Sequence, residues 1–421
     1  MDVERAGIEF LLMPESSSPA AFQVAGELGV AGRSGRSLDD LRRSNLSSVL
    51  RAVHLSSGCT RAEITHETSL NRSTVRALVS ELVRVGILFE EKAEKSGAMG
   101  RPSPSVFASD RVRVLAVNPE VDVTTGAVVG LGGRVFARAE VRHRYPPSPL
   151  DVVAAVSELI DHLAPGGTLW GIGVAIPGLV NEATGAIVVA PHLGWRGVPL
   201  AALLSEAHGL RVVVGNDANC GALAESLFGA GRGCEAMVYL NGGASGIGGA
   251  SIMGGSVMSG SDGYAGEFGH TLVNTVGGRC DCGATGCLET EVRRAPLLAA
   301  LGGVAPTELS GELLRQVPRE GPAAVEADRQ LQFLGIALRT VVNVMNPRRI
   351  LLGGFLASMV QARGFEIIHA ELSHALPGGD STVEIVTAEL GSNILAVGAA
   401  QLVLRHIIDD PLGANELAHT P

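Results

Sequence analysis

Apolar side chains recur at helical spacing in the first quarter of the chain. Leu46, Val49, Leu50 and Val53 fall at i, i+3, i+4 and i+7, one face of a helix. Thr60-Arg-Ala-Glu63 has the form of a capping box and opens a second helix. Asn71 can cap a third, whose apolar face is Val75, Leu78, Val79, Leu82 and Val83, and which Gly86 stops. Ile87-Leu-Phe89, a charged tip with Gly97 and Gly100, and then Val106-Phe107 predict two short strands around a loop. Residues 41–109 therefore read as helix, helix-turn-helix and wing. Residues 1–40, with a Ser-Ser-Ser-Pro run and one short helical stretch near Ile8–Met13, read as a mobile tail.

From Val112 the pattern changes. Val112–Val117, Gly126–Leu131 and Val135–Val141 predict strands of a meander, and Leu150–Leu163 a helix. Leu169–Ile176 predicts a buried strand ending at Pro177-Gly178. Val212–Val214 leads into Asn216-Asp217, and Met237–Leu240 precedes a glycine-rich loop. Leu331–Met345 reads as a helix and Ile350–Leu352 as a strand ending in Gly353-Gly354. Strands alternating with helices, with glycine turns at strand ends, argue for an α/β body over 110–421.

Charge sharpens this division. The whole chain of 421 residues is at −10, yet residues 33–113 carry 14 basic and nine acidic side chains, while 114–421 are at −11. A basic segment on a large acidic body points to a DNA-binding module attached to an effector domain. Only 4% of residues are aromatic, too few for a stacking platform on single-stranded nucleic acid. No basic leader precedes an apolar core, and no stretch reads as apolar enough to span a bilayer. The expectation is a cytoplasmic protein with no membrane partner and reduced cysteines.

Within the basic segment, the third helix shows Arg72, Ser73, Thr74, Arg76, Ser80 and Arg84 away from its apolar face. Such a helix can lie in a major groove, with its first turns at base edges and its cations on phosphates. Arg61 at the preceding helix start suits a backbone contact. Arg101 sits in the wing with the chain's only lysines, Lys92 and Lys95. A dimer of such modules would read a two-fold operator in double-stranded DNA.

A second chemistry lies in His270-x9-Cys280-x-Cys282-x4-Cys287. Three thiolates and an imidazole make a closed tetrahedral set that favours zinc in a structural role, and the spacing offers no fifth ligand. Around it sit Asn216-Asp217-Ala-Asn219, Glu267 and Glu289, amides and carboxylates of the kind that bind neighbouring hydroxyls of a sugar or polyol.

These motifs together resemble the ROK family of sugar kinases and sugar-responsive repressors. The matching stretches are Gly171-Ile-Gly-Val-Ala-Ile-Pro-Gly178, Pro191-His-Leu-Gly-Trp195, Asn216-Asp-Ala-Asn219, Glu267-x-Gly-His270 and Cys280-x-Cys-Gly-x-x-Gly-Cys-x-Glu289. The basic module with Gly100-Arg101-Pro102 resembles the repressor branch. The resemblance implies a winged helix-turn-helix followed by a two-lobed actin-like (ribonuclease H-like) body of the ATPase and sugar-kinase type. It implies sugar contacts from Asn216, Asp217, Glu267, His270 and Glu289, and a homodimer or homotetramer. His270 would then serve twice, one ring nitrogen on the metal and the other toward sugar.

The kinases of this family carry Asp-x-Gly-x-Thr after the first strand of the body. Here that region reads Ala116-Val-Asn-Pro-Glu-Val-Asp-Val-Thr-Thr-Gly126, with Pro119 removing an amide donor where phosphate should be wrapped. Gly246-Ile-Gly-Gly249 and Gly353-Gly354 are kept. The expectation is a sugar-responsive repressor, not an enzyme and with no catalytic residue, in which ATP has no part. The alternative is an ATP-dependent sugar kinase with a DNA-binding appendage, with Asp217 as its base.

Overall fold

The computed structural model describes residues 38–91, 104–243, 246–305, 308–317, 320–376 and 383–418. The chain divides into two units, Met1–Leu41 and Arg42–Pro421. Of the first, only Leu38–Leu41 are described, so the predicted tail and its helix near Ile8–Met13 lie outside the described residues.

The capped, periodic stretches become α1 (Leu38–His54), β1 (Cys59–Thr60), α2 (Arg61–Thr68), α3 (Arg72–Arg84), β2 (Leu88–Glu91) and β3 (Ser105–Ala108). The capping box is present: Glu63 N–H donates to Thr60 Oγ1 at 3.2 Å and Thr60 N–H to Glu63 Oε2 at 2.6 Å. Asn71 Oδ1 accepts from Thr74 N–H at 2.8 Å and starts α3. Gly86, at φ 77°, turns the chain out of the helix into the wing. The wing is a three-stranded antiparallel sheet in the order β1-β3-β2.

The first lobe holds β4 (Arg113–Pro119), β5 (Val123–Gly130), β6 (Val135–Arg142), α4 (Pro149–Leu163), β7 (Ile172–Ile176), β8 (Leu179–Asn181), β9 (Ala186–Ala190), β10 (Trp195–Val198), α5 (Leu200–His208) and β11 (Val212–Asn216). Its main sheet runs β11-β7-β4-β5-β6, antiparallel from β4 to β6 and parallel from β4 to β11. Next come α6 (Asp217–Phe228), β12 (Ala236–Gly242), β13 (Ile247–Met253), β14 (Ser256–Val257), α7 (Leu288–Glu291), α8 (Arg294–Ala300), α9 (Leu309–Gln316), α10 (Pro322–Met345), β15 (Arg349–Gly353), α11 (Gly354–Arg363), α12 (Glu366–Leu372), β16 (Glu384–Thr387), α13 (Ile394–Asp409) and α14 (Pro411–Ala418). The second sheet runs β14-β13-β12-β15-β16. Two mixed five-stranded sheets with helices packed on them make the two-lobed α/β body expected.

Helix α6 has no amphipathic stripe, and periodicity did not predict it. It packs on α13, β7 and β11 of one lobe and on β12 and β13 of the other. A helix buried on all sides needs small side chains, and Ala218, Cys220, Gly221, Ala222 and Ala224 supply them. Helix α10 starts at Pro322, nine residues before its predicted start, because proline fits the first turn of a helix.

One helix corrects the reading that no stretch is apolar enough to span a bilayer. Gly391–Asp409 has a mean hydropathy of 1.2 and sufficient length. Its apolarity has a packing cause: α13 lies against β4, β7 and β11 and against α6.

The apolar core of the helix-turn-helix is continuous with that of the first lobe. Leu46, Val49, Leu50 and Val53 of α1 share one cluster with Val112, Leu131, Leu404 and Ile408. His54, at the end of α1, is only 2% exposed. Burial, with Arg51 beside it, holds its imidazole down at about 4, so the ring is neutral in the folded protein. The unfolded chain takes up that proton first as pH falls. The stabilisation is therefore complete above pH about 6.5 and is lost towards pH 4. Between those limits wild type should lose about 3 kcal/mol more stability than His54→Gln. Urea unfolding at a series of pH values checks this.

Candidate functional site

The exposed face of α3 carries Arg72, Ser73, Arg76 and Arg84, with Thr74 half-buried in the first turn. Arg72 and Arg76 make no ion pair among the described residues, whereas Arg84 lies 3.9 Å from Glu81. Ser73 donates to Asn71 Oδ1 at 2.6 Å, which rigidifies the helix start. Arg61 is engaged otherwise than its sequence position suggests. Its Nε and Nη2 donate to the two carboxylate oxygens of Glu90 at 2.8 and 2.9 Å, tying α2 to the wing. That pair holds the Arg61 guanidinium against the wing strand β2. Arg101, Lys92 and Lys95 lie outside the described residues.

The body has a cavity of about 760 Å³ lined from both lobes. Asn216, Asp217, Glu267, His270 and Glu289 all border it, with Pro177-Gly178, Trp195 and the Gly246–Gly249 strand. The N-terminus of α6 delivers the first pair. Asn216 caps the helix, its Oδ1 accepting from Asn219 N–H at 3.0 Å, while its amide donates to Gly178 O at 3.1 Å. Both ends of that side chain are thus already engaged, and Asn216 holds the Pro177-Gly178 loop against the helix. Asp217 follows at the first helical position, one oxygen accepting from Ala218 N–H at 2.9 Å. Burial, with Glu120 and Glu267 nearby, pushes its carboxyl up to about 7. Burial likewise raises Glu267, although His270 opposes this. The cavity also exposes Arg196, Tyr264 and Asp281, which sequence reasoning did not single out. Only Asp281, between two of the cysteines, carried a local signal.

His270, Cys280, Cys282 and Cys287 place one donor atom each within 4.8 Å of one another. Gly286, at φ 77°, lets the loop double back, and a Cβ there would meet Asn274 O at 1.6 Å. A tetrahedron with bonds of about 2.3 Å to sulfur and about 2.0 Å to nitrogen has S–S edges of about 3.8 Å and N–S edges of about 3.5 Å. Cys282 and Cys287 Sγ lie 3.7 Å apart, and Cys280 Sγ lies 3.5 Å from His270 Nδ1. The residues fit zinc. The imidazole presents Nδ1 to Cys280 Sγ and Nε2 to Glu267, 3.9 Å away. The structure adds a neighbour: Glu289 Oε1 sits 3.0 Å from Cys280 Sγ and 3.4 Å from His270 Nδ1. One carboxylate therefore touches both the metal set and the cavity.

The turn between β4 and β5 is tight, Glu120 N–H donating to Val123 O at 2.8 Å. Asn118, where a kinase-type turn would begin, is buried and donates to Ala175 O at 3.0 Å. The kept glycines have packing reasons. A Cβ on Gly246 would meet Glu289 Oε2 at 2.6 Å, one on Gly249 the Phe268 ring at 2.6 Å, and one on Gly354 Gly242 O at 2.1 Å.

Known proteins resemble this chain in sequence and in fold. The ROK family profile matches residues 115–406. The xylose repressor of Bacillus subtilis (strain 168) is 26% identical over 379 residues, covering 88% of this chain and 97% of that protein. The glucokinase of Streptomyces coelicolor is 30% identical over 278 residues, covering 61% and 87%. Among solved structures, a ROK family transcriptional regulator described as a homologue of the E. coli MLC protein aligns at TM-score 0.73 with 23% identity, covering 90% of this chain and all of that one. A Streptomyces griseus ROK glucokinase in complex with glucose and AMPPNP aligns at TM-score 0.59 with 25% identity, covering 69% and 98%. The Bacillus subtilis xylose repressor thus matches over nearly its whole length, whereas the Streptomyces coelicolor glucokinase covers 61% of this chain.

Proposed function

The chain belongs to the ROK family, and from that premise we propose that it is a sugar-responsive transcriptional repressor. The observation that carries this is a capped, basic helix-turn-helix sharing one apolar core with a two-lobed body, in a chain similar to the xylose repressor of Bacillus subtilis over 97% of that protein's length. Helix α3 enters the major groove of an operator, with Arg72, Ser73, Thr74 and Arg76 at its leading turns and Arg101 of the wing on the flank. Arg61 contributes by fixing the wing through Glu90.

The cavity takes a sugar. Asp217, Glu267 and Glu289 accept from its hydroxyls, and the Nε2 side of His270 meets a further one. Zinc, held by His270, Cys280, Cys282 and Cys287, would supply folding energy to a loop with little apolar material of its own. The chain acts as a homodimer or homotetramer, and sugar shifts the arrangement of its DNA modules. A hundredfold preference of sugar for one arrangement is about 2.7 kcal/mol, enough to change operator occupancy decisively.

The kinase reading is disfavoured by the β4–β5 turn. Pro119 has no amide to offer, Asn118 is spent on Ala175, and Glu120 puts a carboxylate, raised by burial, beside the path of a transferring phosphate. The expected result is no sugar-dependent ADP release above blank, unchanged in Asp217→Asn. Turnover that Asp217→Asn abolishes would instead establish the kinase.

The DNA reading is tested by fluorescence anisotropy at fixed salt on DNA flanking the protein's own gene, across a panel of sugars. One sugar should shift operator affinity. Arg76→Ala should weaken operator binding by about 1–3 kcal/mol. An unchanged affinity would refute this orientation of α3.

A further inference from the structure

Helix α6 begins at the cavity and ends against the DNA-reading module. Asp217 is its first residue and Phe228 its last, a span of about 18 Å at 1.5 Å per residue. The Phe228 ring meets the imidazole of His54 edge-on, with centroids 5.2 Å apart and planes at 79°. His54 is the last residue of α1. Its other contacts fix it completely. Gly132 N–H donates to Nδ1 at 3.0 Å. The ring proton therefore sits on Nε2 and is donated to Gln401 Oε1, 2.9 Å away on α13. Gly132 and Gly133 follow each other at φ 74° and 69°, a backbone that aims the amide at His54 and leaves room for Phe228. Helices α6 and α13 are in turn locked together, since a Cβ on Gly398 would lie 2.1 Å from Cys220 O.

On the reading of the protein as a sugar-responsive repressor, we infer that His54 is a positioning residue that couples the cavity to the DNA module, held between Phe228 of α6 and Gln401 of α13. Sugar engages Asp217 at one end of a rigid helix, and any displacement along that helix arrives at Phe228. The neutral ring of His54 has one donor and one acceptor, each with a single partner, so it cannot follow α6 without α1. The exposed pair Arg51–Asp409, 2.8 Å, joins α1 to α13 at the surface but is solvated and adjustable.

Coupling is reciprocal, so operator binding must also be felt at the cavity end of α6. The test is amide hydrogen exchange on the full chain, with and without an operator duplex selected by the wild-type protein from a random pool. In wild type, operator should change exchange at Ala218–Leu223 at least threefold. In Gln401→Met the change should vanish, while operator affinity stays within threefold of wild type. Arg51→Ala should keep the wild-type response. Should Gln401→Met fail to fold, Phe228→Leu removes only the ring edge and carries the same test. The inference is overturned if the α6 response survives both substitutions, or if wild type shows none. A wild-type chain that selects no duplex refutes the repressor reading itself and the inference with it. With D-xylose and D-glucose as probes, whichever sugar shifts wild-type operator affinity tenfold should shift that of Gln401→Met less than twofold, with sugar affinity retained.

Discussion

Gly173→Ala should destabilise the protein by about 3 kcal/mol or more. Gly173 lies in β7, in the middle of the first sheet, where α13 crosses. A Cβ there would stand 1.9 Å from the backbone oxygen of Ala399 and 2.7 Å from its carbonyl carbon. Both are main-chain atoms of buried elements. β7 is hydrogen-bonded between β4 and β11, and α13 is pinned on its far side by the contact of Gly398 with Cys220 O. Neither can yield by rotating a side chain, so the clash spreads into sheet and helix together. Gly311→Ala is the control. It lies in α9 with nothing within 4 Å of the added Cβ, and there alanine should be neutral or stabilising by about 1 kcal/mol. Denaturant midpoints of the two variants, read at constant slope, check the pair.

Loss of the metal ligands should produce the largest functional effect. Cys287→Ser removes one corner of a set in which the Cys282–Cys287 and Cys280–His270 edges match tetrahedral zinc. Metal content should fall from one zinc per chain to none. Sugar affinity should fall at least a hundredfold, about 2.7 kcal/mol, because His270 and Glu289 are positioned by the same loop. Operator affinity without sugar should stay within threefold, since the helix-turn-helix core shares no residue with that loop. Metal analysis, calorimetric titration with sugar and operator anisotropy give the three readings. A chelator-stripped protein with its normal sugar response would refute the link between metal and cavity.

The two sites differ in how far they were legible. The helix-turn-helix was readable because its determinants are local. The capping box spans four residues, and the apolar face of α3 recurs within thirteen. The metal set was readable for the same reason, three of its ligands lying within eight residues. The α6 helix left no such mark. A segment buried on every face has no polar side to give it a period, and its small residues look like a loop. The apolar run Gly391–Asp409 was passed over, and by composition alone it does not differ from a membrane-spanning helix.

By itself the sequence determined the order of the elements, the metal donors, the acids and amides of the cavity, and the family they resemble. Each depends on residues close together along the chain, where spacing stands in for geometry. Tertiary structure alone decided what those residues are free to do. Arg61 is committed to Glu90, 29 positions on, and Asn216 to Gly178, 38 back. His54 meets Gln401 across 347 residues. On the sequence His54 stands four positions after Leu50, on the apolar face of its helix, with nothing to name a partner for either ring nitrogen. The fold buries it, removes its charge and gives each ring nitrogen one partner. Hydrogen bonds formed over such separations depend on packing of whole elements, and no local pattern along the chain records them.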